Sequence, residues 1–271
     1  MAANASELFQ EMLSDVSSNH WPRQVGDPQS PAKERTIEAQ IGRCYELCNP
    51  MFNYVDVRPV DRCWALANVL HFFTGSEYAE PLRRYNKQAD RFLESGWWRG
   101  AYGAIALCQL QDCIKLLSAF PNSRRAIVSM GGFQSEPTIN SPACWSFIHF
   151  IQGRVGLDMV VYQRSLSLFG VMPYDCILLS NIHCFVAGQC GIPVGVLRWI
   201  VGSVHIKEDE TVKHAIGRRH DGMIVPHKLL ENNIECMEYL EQSKKLPHPY
   251  NEYLHEKATA GTPGVAGQNV L

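Results

Sequence analysis

The segment CWSFIHFIQGRVGLDMVVYQRS, residues 144–165, constrains the fold of this chain most strongly. Its two arms alternate in polarity or carry β-branched residues, and Gly153 lies between them, a pattern that predicts two strands joined by a turn. Apolar segments with helical spacing flank this pair, at residues 59–75, 105–120 and 174–191. Helices mixed with several strands favour a single α+β domain.

The remaining segments complete the predicted order of elements. Residues 79–95 are typical of a more polar helix, residues 96–103 of a Gly-rich aromatic turn, and residues 126–130 and 193–208 of strands. The C-terminal end is rich in Gly, Ala and Pro and predicts a flexible tail. We therefore expect one folded domain over residues 1–255 and a tail over residues 256–271.

The overall composition narrows the classes of function. Of the 271 residues, 46% are hydrophobic and 19% are charged, as in ordinary soluble globular proteins. A net charge of −2 gives no global attraction to nucleic acid or to acidic membranes. The N-terminus lacks the apolar core of a signal peptide, and no apolar run is long enough to span a membrane. These features predict a cytoplasmic protein that binds neither nucleic acid nor membrane.

Cys144 stands apart from the other cysteines of the chain. The ten cysteines are expected to stay reduced in the cytoplasm, and because they include no CxxC pair we expect no metal site. Cys144 follows the sequence SPA at the start of a predicted strand, where it can be a packing residue, a metal ligand or a nucleophile. A nucleophile needs nearby cations or donors that favour its thiolate. Arg124, Arg125 and Arg164 flank predicted strands that can neighbour it, but these residues alone leave the choice open.

The order of short motifs around Cys144 resembles the thymidylate synthase family. SRR precedes the SPAC cysteine at the family's spacing, YQRS follows it, and GSVHIK stands where the family has a G-D-x-H-x-Y strand. Upstream, VLHFFTG and GAYG are similar to the family's LLWFLxG and xVYG. Each motif is weak alone, but their shared order and spacing over residues 35–215 make a strong signal.

The resemblance implies both a fold and a reaction. The fold is a single domain with a large twisted mixed β-sheet flanked by helices, which dimerises through the sheet. The reaction is one-carbon transfer to C5 of a pyrimidine nucleotide monophosphate, with 5,10-methylenetetrahydrofolate as co-substrate and no metal. Cys144 would attack C6 of the base, which turns C5 into a carbon nucleophile, and Tyr102 would lie near the reacting base.

The same resemblance assigns residues to the nucleotide. Arg164 and Ser165 would bind the 5′-phosphate, joined by Arg124 and Arg125 from the other subunit of a homodimer, because guanidinium groups donate to phosphate oxygens in pairs. Arg164 near the sulfur would also favour the thiolate. The remaining residues assigned to the nucleotide are Gln163, Ser167, Asp175, His205 and Lys207, with His205 on the sugar hydroxyls.

Asp175 is the departure from the family that bears most on the substrate. It replaces the uracil-reading asparagine of the family's P-F-N triplet, which is PYD here. An ionised carboxylate only accepts hydrogen bonds, so it suits the 4-amino group of cytosine better than O4 of uracil. Cytidylate and deoxycytidylate hydroxymethylases resemble this pattern, with Asp at that place. Asp175 also opens a predicted helix, where it can serve as the N-cap.

Other departures alter the sugar and acid–base parts of the site. Lys207 replaces a tyrosine that holds a deoxyribose hydroxyl, which makes ribose admissible and favours CMP slightly. Asn68 replaces the catalytic glutamate, and an amide orients water but cannot shuttle a proton. Ser167 replaces an aspartate that touches the folate, and Trp145 replaces a histidine beside the nucleophile. The candidate acids to stand in for the lost glutamate are Glu38 and Asp61.

These features predict a CMP or dCMP 5-hydroxymethyltransferase. Water capture of the transferred methylene group gives a hydroxymethyl product, whereas hydride from the folate gives the methyl product of thymidylate synthase acting on dUMP or UMP. A third hypothesis is a nucleotide-binding homologue with diminished catalysis, which the residues at positions 68, 145 and 167 favour and the retained Cys144 opposes.

Overall fold

The computed structural model describes residues 1–18, 21–25, 34–38, 41–57, 60–76, 78–83, 85, 93–94, 97–98, 101–130 and 143–207. The helices are α1 (Ala5–Ser18), α2 (Arg62–Thr74), α3 (Glu80–Arg83), α4 (Tyr102–Ala119) and α5 (Met172–Cys190). The strands are β1 (Trp21–Val25), β2 (Glu34–Glu38), β3 (Arg43–Leu47), β4 (Leu93–Glu94), β5 (Trp97–Trp98), β6 (Ala126–Ser129), β7 (Trp145–Gln152), β8 (Leu157–Gln163), β9 (Leu166–Ser167), β10 (Val194–Val201) and β11 (Val204–Lys207). The domain end expected at residue 255 and the expected tail, residues 256–271, lie outside the described residues.

A five-stranded mixed sheet organises the molecule. Its strand order is β3-β10-β8-β7-β6, and only β10 and β8 run parallel within it. The predicted pair of strands around Gly153 is confirmed as the antiparallel neighbours β7 and β8. Helix α1 packs near β3, α4 near β6, and α5 against β8 and β10. The predicted α+β class and the mixed sheet flanked by helices are therefore confirmed.

One face of this sheet forms the core of the protein. Along β8 and β10, Val161, Gln163 and Trp199 are fully buried, whereas the alternating residues Val160 and Tyr162 are only half-buried. This alternation follows from the two-residue period of a strand. In the part of the chain that the structure describes, helices thus cover one face. The other is called the open face below, and its apolar members are Ile127, Phe147, Ile151, Val160, Val196 and Ile200.

The expected single strand over residues 193–208 is two strands in two sheets. β10 ends at Val201, and β11 begins at Val204 in a second sheet of order β1-β2-β11-β9. Gly202 lies at the crossing, where an added Cβ would stand 2.7 Å from the carbonyl oxygen of Arg164. The backbones approach so closely there that the chain must leave one sheet for the other, a tertiary constraint that strand propensity does not reveal.

The helix predicted over residues 79–95 is wrong at its C-terminal end. Leu93 and Glu94 form β4, which pairs with Trp97 and Trp98 of β5, so the predicted aromatic turn also contains a strand. Two residues, Ser95 and Gly96, separate these strands in the sequence, and a Gly-containing pair of this length is a signal for a short hairpin. The polar helical composition obscured that signal.

Two of the three predicted apolar helices, α2 and α5, end where the sequence predicts. Gly75 after α2 and Gly191 after α5 both have left-handed backbone conformations, which glycine adopts without steric cost. Asp61 begins α2 as its N-cap, accepting from the backbone N–H of Trp64 at 2.9 Å. None of the helices in the described ranges combines the length and apolarity that crossing a membrane requires.

The contact between α2 and α4 predicts the effect of a single methyl group. A Cβ added at Gly103 would lie 1.9 Å from the carbonyl oxygen of Phe72. Overpacking of this kind costs about 1–3 kcal/mol, so Gly103→Ala should lower the free energy of unfolding in a denaturant titration. Gly188→Ala is the matched control, because that exposed helical glycine has no heavy atom within 4 Å of the added Cβ. The control should gain about 0.5–1 kcal/mol, and wild-type stability of Gly103→Ala would contradict the close contact.

Candidate active site

Cys144 lies half-buried at the mouth of β7, between the start of α4 and the end of β8. Its backbone N–H donates to the hydroxyl oxygen of Tyr102 at 3.1 Å. Its carbonyl oxygen accepts from the backbone N–H of Arg164 at 2.8 Å. The backbone of the cysteine is thus held from two sides by residues that the sequence assigned to the same site.

A β-bulge next to Cys144 sets the direction of the following side chains. Trp145 pairs with Gln163 and Phe147 pairs with Tyr162, which leaves Ser146 as an extra residue on β7. Bulges of this kind re-aim side chains beside functional sites. Trp145 and Gln163 are both fully buried and both reach the first turn of α5.

Tyr102 places a neutral phenol beside Cys144. Burial, together with the nearby side chains of Cys144 and Asp175, raises the pKa of Tyr102 well above its ordinary value. The phenol therefore keeps its proton at neutral pH. Because the phenol oxygen accepts from the backbone of Cys144, the O–H remains to donate toward the cysteine side chain. A hydrogen bond to a sulfur anion favours the thiolate.

Asp175 is the second polar centre of the site. The N-cap of α5 is Val171, so the interpretation of Asp175 as the helix cap is wrong, and its side chain makes tertiary contacts instead. Its Oδ2 accepts from Nε2 of Gln163 at 3.0 Å and from Nε1 of Trp145 at 3.4 Å. Burial raises the pKa of Asp175 to about 7, although these two donors lower it. Among the described residues, no hydrogen-bond partner reaches Oδ1.

The predicted phosphate-binding pair lies directly beside Cys144. Nε of Arg164 donates to the carbonyl oxygen of Ala143, the residue before Cys144, at 3.4 Å. The neighbouring Ser165 accepts from the side chain of Gln163 through its carbonyl oxygen at 3.0 Å. Cys144, Arg164 and Ser165 therefore occupy one corner of the sheet, as the sequence predicted.

Comparison with known proteins gives the family. A family profile described as thymidylate synthase matches residues 53–242. The chain belongs to the thymidylate synthase family. Thymidylate synthases of Listeria monocytogenes serotype 4a (strain HCC23) and serotype 4b (strains F2365 and CLIP80459) are each 30% identical to it over 134 residues. Those matches cover 49% of this chain and 40% of each relative.

The membership confirms the resemblance seen in the motifs. The matched region begins before Asn68 and ends after Lys207, so it includes every residue that the sequence assigned to the site. The match spans less than half the length of those thymidylate synthases. The individual roles of the site residues remain predictions.

Ser167, at the predicted folate side, and His205, at the predicted sugar side, lie on two paired strands. Ser167 on β9 pairs with His205 on β11 in parallel register. The hydroxyl of Ser167 accepts from the backbone N–H of Gly170 at 3.3 Å and so supports the turn before α5. His205 is half-buried, whereas the side chain of Lys207 lies outside the described residues.

Asn68 holds the position of the family's catalytic glutamate in a restricted orientation. Its Nδ2 donates to the carbonyl oxygen of Trp64 one helical turn earlier, at 2.7 Å, which leaves Oδ1 as an acceptor. Of the two predicted substitute acids, the structure describes the side chain of Asp61 alone. Asp61 is engaged in capping α2, and the side chain of Glu38 lies outside the described residues.

Arg124 and Arg125 do not meet Cys144 of the same chain. Both are exposed in the turn before β6, whose first residue, Ala126, pairs with Phe150. Phe150 lies six residues along β7 from Cys144, which at the rise of a strand corresponds to about 20 Å. The separation agrees with the prediction that these arginines act on the site of another subunit.

Sequence reasoning missed the way in which Asp175 is held. Trp199 lies 36 residues from Gln163 in the chain, yet its Nε1 donates to Oε1 of that side chain at 2.9 Å. Trp145 entered the sequence argument only as a departure from the family, although it contacts Asp175. A tryptophan in a predicted strand carries no signal for such a contact.

Within the described ranges, no group of three or more His, Cys, Asp and Glu side chains is placed to hold a metal ion.

The hydroxyl group of Tyr102 is expected to increase the reactivity of Cys144 toward alkylating reagents. Tyr102→Phe removes a donor to the anionic sulfur, an interaction worth about 1.5–3 kcal/mol. Alkylation of Cys144 by iodoacetamide near neutral pH, followed by site-resolved mass spectrometry, should therefore slow about ten-fold or more. Tyr45→Phe is the control, because that hydroxyl bonds Asp15 beside the edge strand β3. Equal alkylation rates in wild type and Tyr102→Phe would contradict the assignment.

Proposed function

We propose that this protein is a 5-hydroxymethyltransferase acting on a cytosine nucleotide, CMP or dCMP, through covalent addition of Cys144 to C6 of the base. One observation supports the choice of cytosine most directly. Asp175 presents a single carboxyl oxygen, Oδ1, that no described residue engages, while Oδ2 is held by two N–H donors. The assignment of the general reaction rests on membership of the thymidylate synthase family.

The carboxyl group of Asp175 complements cytosine in both of its protonation states. The ionised form accepts from the exocyclic 4-amino group, and the protonated form donates to the unprotonated ring nitrogen N3. Uracil instead presents the acceptor O4 where cytosine carries its amino group, which an ionised carboxylate repels. Because burial brings the pKa of Asp175 to about 7, both forms are populated near neutral pH.

The chain's own residues carry the first half of the reaction. The thiolate of Cys144 forms a bond to C6, and the electron pair of the C5–C6 double bond becomes nucleophilic at C5. Methylenetetrahydrofolate, as second substrate, supplies the one-carbon unit that C5 takes up. C5 then loses its proton, and its electron pair expels tetrahydrofolate from the one-carbon unit, which leaves an exocyclic methylene group on C5. Water adds to that methylene group, and the electron pair returned to C5 expels the Cys144 sulfur from C6. The products are the 5-hydroxymethyl nucleotide, tetrahydrofolate and the free thiol.

The phosphate site is completed by a second copy of the chain. Arg164 and Ser165 lie beside Cys144, whereas Arg124 and Arg125 of the same chain lie about 20 Å away along β7. The open face gives a surface through which two copies can pair, because its apolar side chains stay half-exposed and Ile127 is 48% exposed. A homodimer across this face buries those side chains and brings the arginine pair to the partner's nucleotide.

The altered residue at position 68 favours a second candidate. Asn68 cannot shuttle a proton, and its amide is already bonded to Trp64. A homologue that binds a pyrimidine nucleotide with diminished catalysis fits this arrangement. Methylation of dUMP or UMP, in which hydride replaces water, is the other alternative and rests on the family alone. Both alternatives are separated from hydroxymethylation by the same assay.

Tritium release from 5-tritiated nucleotides tests the proposal. We expect release from CMP or dCMP in the presence of methylenetetrahydrofolate, and much slower release from UMP and dUMP. The product should carry a hydroxymethyl group by mass spectrometry. Release from dUMP with formation of a methyl product would establish the thymidylate synthase reaction, and binding without release from any nucleotide would establish the binding homologue.

Two variants locate the activity in the proposed residues. Cys144→Ser should abolish tritium release while leaving nucleotide affinity near that of wild type, since only the nucleophile changes. Asp175→Asn should shift preference toward the uracil nucleotides, because an amide can donate to O4. Full activity in Cys144→Ser would refute covalent catalysis, and an unchanged base preference in Asp175→Asn would refute the reading role.

A further inference from the structure

Four side chains from three strands and one helix form a continuous chain of hydrogen bonds that runs from the core to the half-buried Asp175. Trp199 on β10 donates to Gln163 on β8, and Gln163 and Trp145 on β7 both donate to Asp175 on α5. The two tryptophans and the glutamine are fully buried. Buried networks of this kind are costly unless every member is satisfied, so their arrangement is closely specified.

The chemistry of the donors fixes the direction of every bond. An indole nitrogen can only donate, so Trp199 must face the oxygen of the Gln163 amide. The amide nitrogen then faces the other way, where it donates to the carbonyl oxygen of Ser165 and to Oδ2 of Asp175. The indole of Trp145 donates to the same Oδ2. Oδ2 therefore remains an acceptor in both protonation states of Asp175, and a carboxyl proton resides on Oδ1.

Trp145 is also held in place by packing against a second aromatic ring. Its ring packs against that of Tyr102 with centroids 4.6 Å apart and an angle of 43° between the ring planes. The bulge at Ser146 lets Trp145 remain paired with Gln163 while both side chains face α5. Unlike an imidazole, an indole neither titrates nor changes tautomer, so its N–H is a donor at every pH at which the protein is folded.

We propose that Trp145 is a positioning residue for base selection: together with Gln163, whose amide Trp199 orients, it holds Oδ2 of Asp175 so that Oδ1 alone meets the nucleotide base. This inference rests on the proposed function, because it assumes that Asp175 reads the base. Without the indole donor, the carboxyl group can turn and present either oxygen, and discrimination between an amino group and a carbonyl group weakens.

The test compares dissociation constants for CMP and UMP, and for dCMP and dUMP, by calorimetry in a set of tryptophan variants. Trp145→Phe keeps the aromatic packing against Tyr102 but removes the donor. The loss of one hydrogen bond to a charged group should lower the cytosine-to-uracil preference about ten-fold. Trp145→His restores a ring N–H and should recover part of that preference. Trp199→Phe, which does not touch Asp175, should also reduce the preference because the Gln163 amide can then reverse.

Trp64→Phe is the matched control. Trp64 belongs to a separate small cluster with Ala67, Ala79 and Leu82, so its replacement should leave the base preference unchanged. Circular dichroism and thermal melts of each variant separate loss of fold from loss of selectivity. Should Trp145→Phe fail to fold, Trp199→Phe carries the test through the same network.

The outcomes separate this inference from the proposed function. If Trp145→Phe and Trp199→Phe both fold and both keep the cytosine preference of the wild type, the positioning role is overturned and the proposed function stands. Absence of any cytosine preference in the wild type would overturn the proposed function and the positioning role with it. Loss of preference in these two variants but not in Trp64→Phe would support the inference.

Discussion

The candidate site depends on the hydrogen bonds of the Gln163 side-chain amide. The amide is fully buried, its two N–H donors bond Ser165 and Asp175, and its carbonyl oxygen accepts from Trp199. Because a buried amide left unsatisfied costs free energy, the strands β8 and β10 and the first turn of α5 must keep their mutual positions. The fold and the site therefore share one set of constraints.

That constraint links three features which the sequence shows only separately. The bulge in β7 places Trp145 against Asp175. The end of β8 places Arg164 beside Cys144, and Tyr102, the first residue of α4, contacts the same cysteine. Each contact lies at the end of an element, where the sheet and the helices meet. Cys144, the phenol of Tyr102 and the carboxyl group of Asp175 are thus placed by rigid elements, which is the arrangement that precise chemistry requires.

Much of the fold and part of the site follow from the sequence alone. The two arms around Gly153 predict β7 and β8, and Gly75 and Gly191 predict the ends of α2 and α5, because these signals are local. The hairpin at residues 93–98 and the break at Gly202 were not predicted. The first was hidden by polar helical composition, and the second arises from a backbone contact with Arg164.

The site shows the same division between local and tertiary information. Motif order placed Cys144, Arg164 and Asp175 in one site. The structure brings Cys144 and Arg164 into contact, and Asp175 is bonded to Trp145, whose ring packs against that of Tyr102. Whether Asp175 caps its helix or makes tertiary contacts depends on Gln163 and Trp145, which are distant in sequence. Local patterns cannot reveal such contacts, because they arise only when strands pair in a particular register.

The most direct test of this account is a crystal structure with CMP or dCMP bound. The account predicts that the 4-amino group or N3 of cytosine lies within hydrogen-bonding distance of Oδ1 of Asp175. It also predicts that C6 lies about 3–3.5 Å from the sulfur of Cys144, with the partner subunit's Arg124 and Arg125 on the phosphate. A base that turns away from Asp175, or a nucleotide bound away from Cys144, would contradict it.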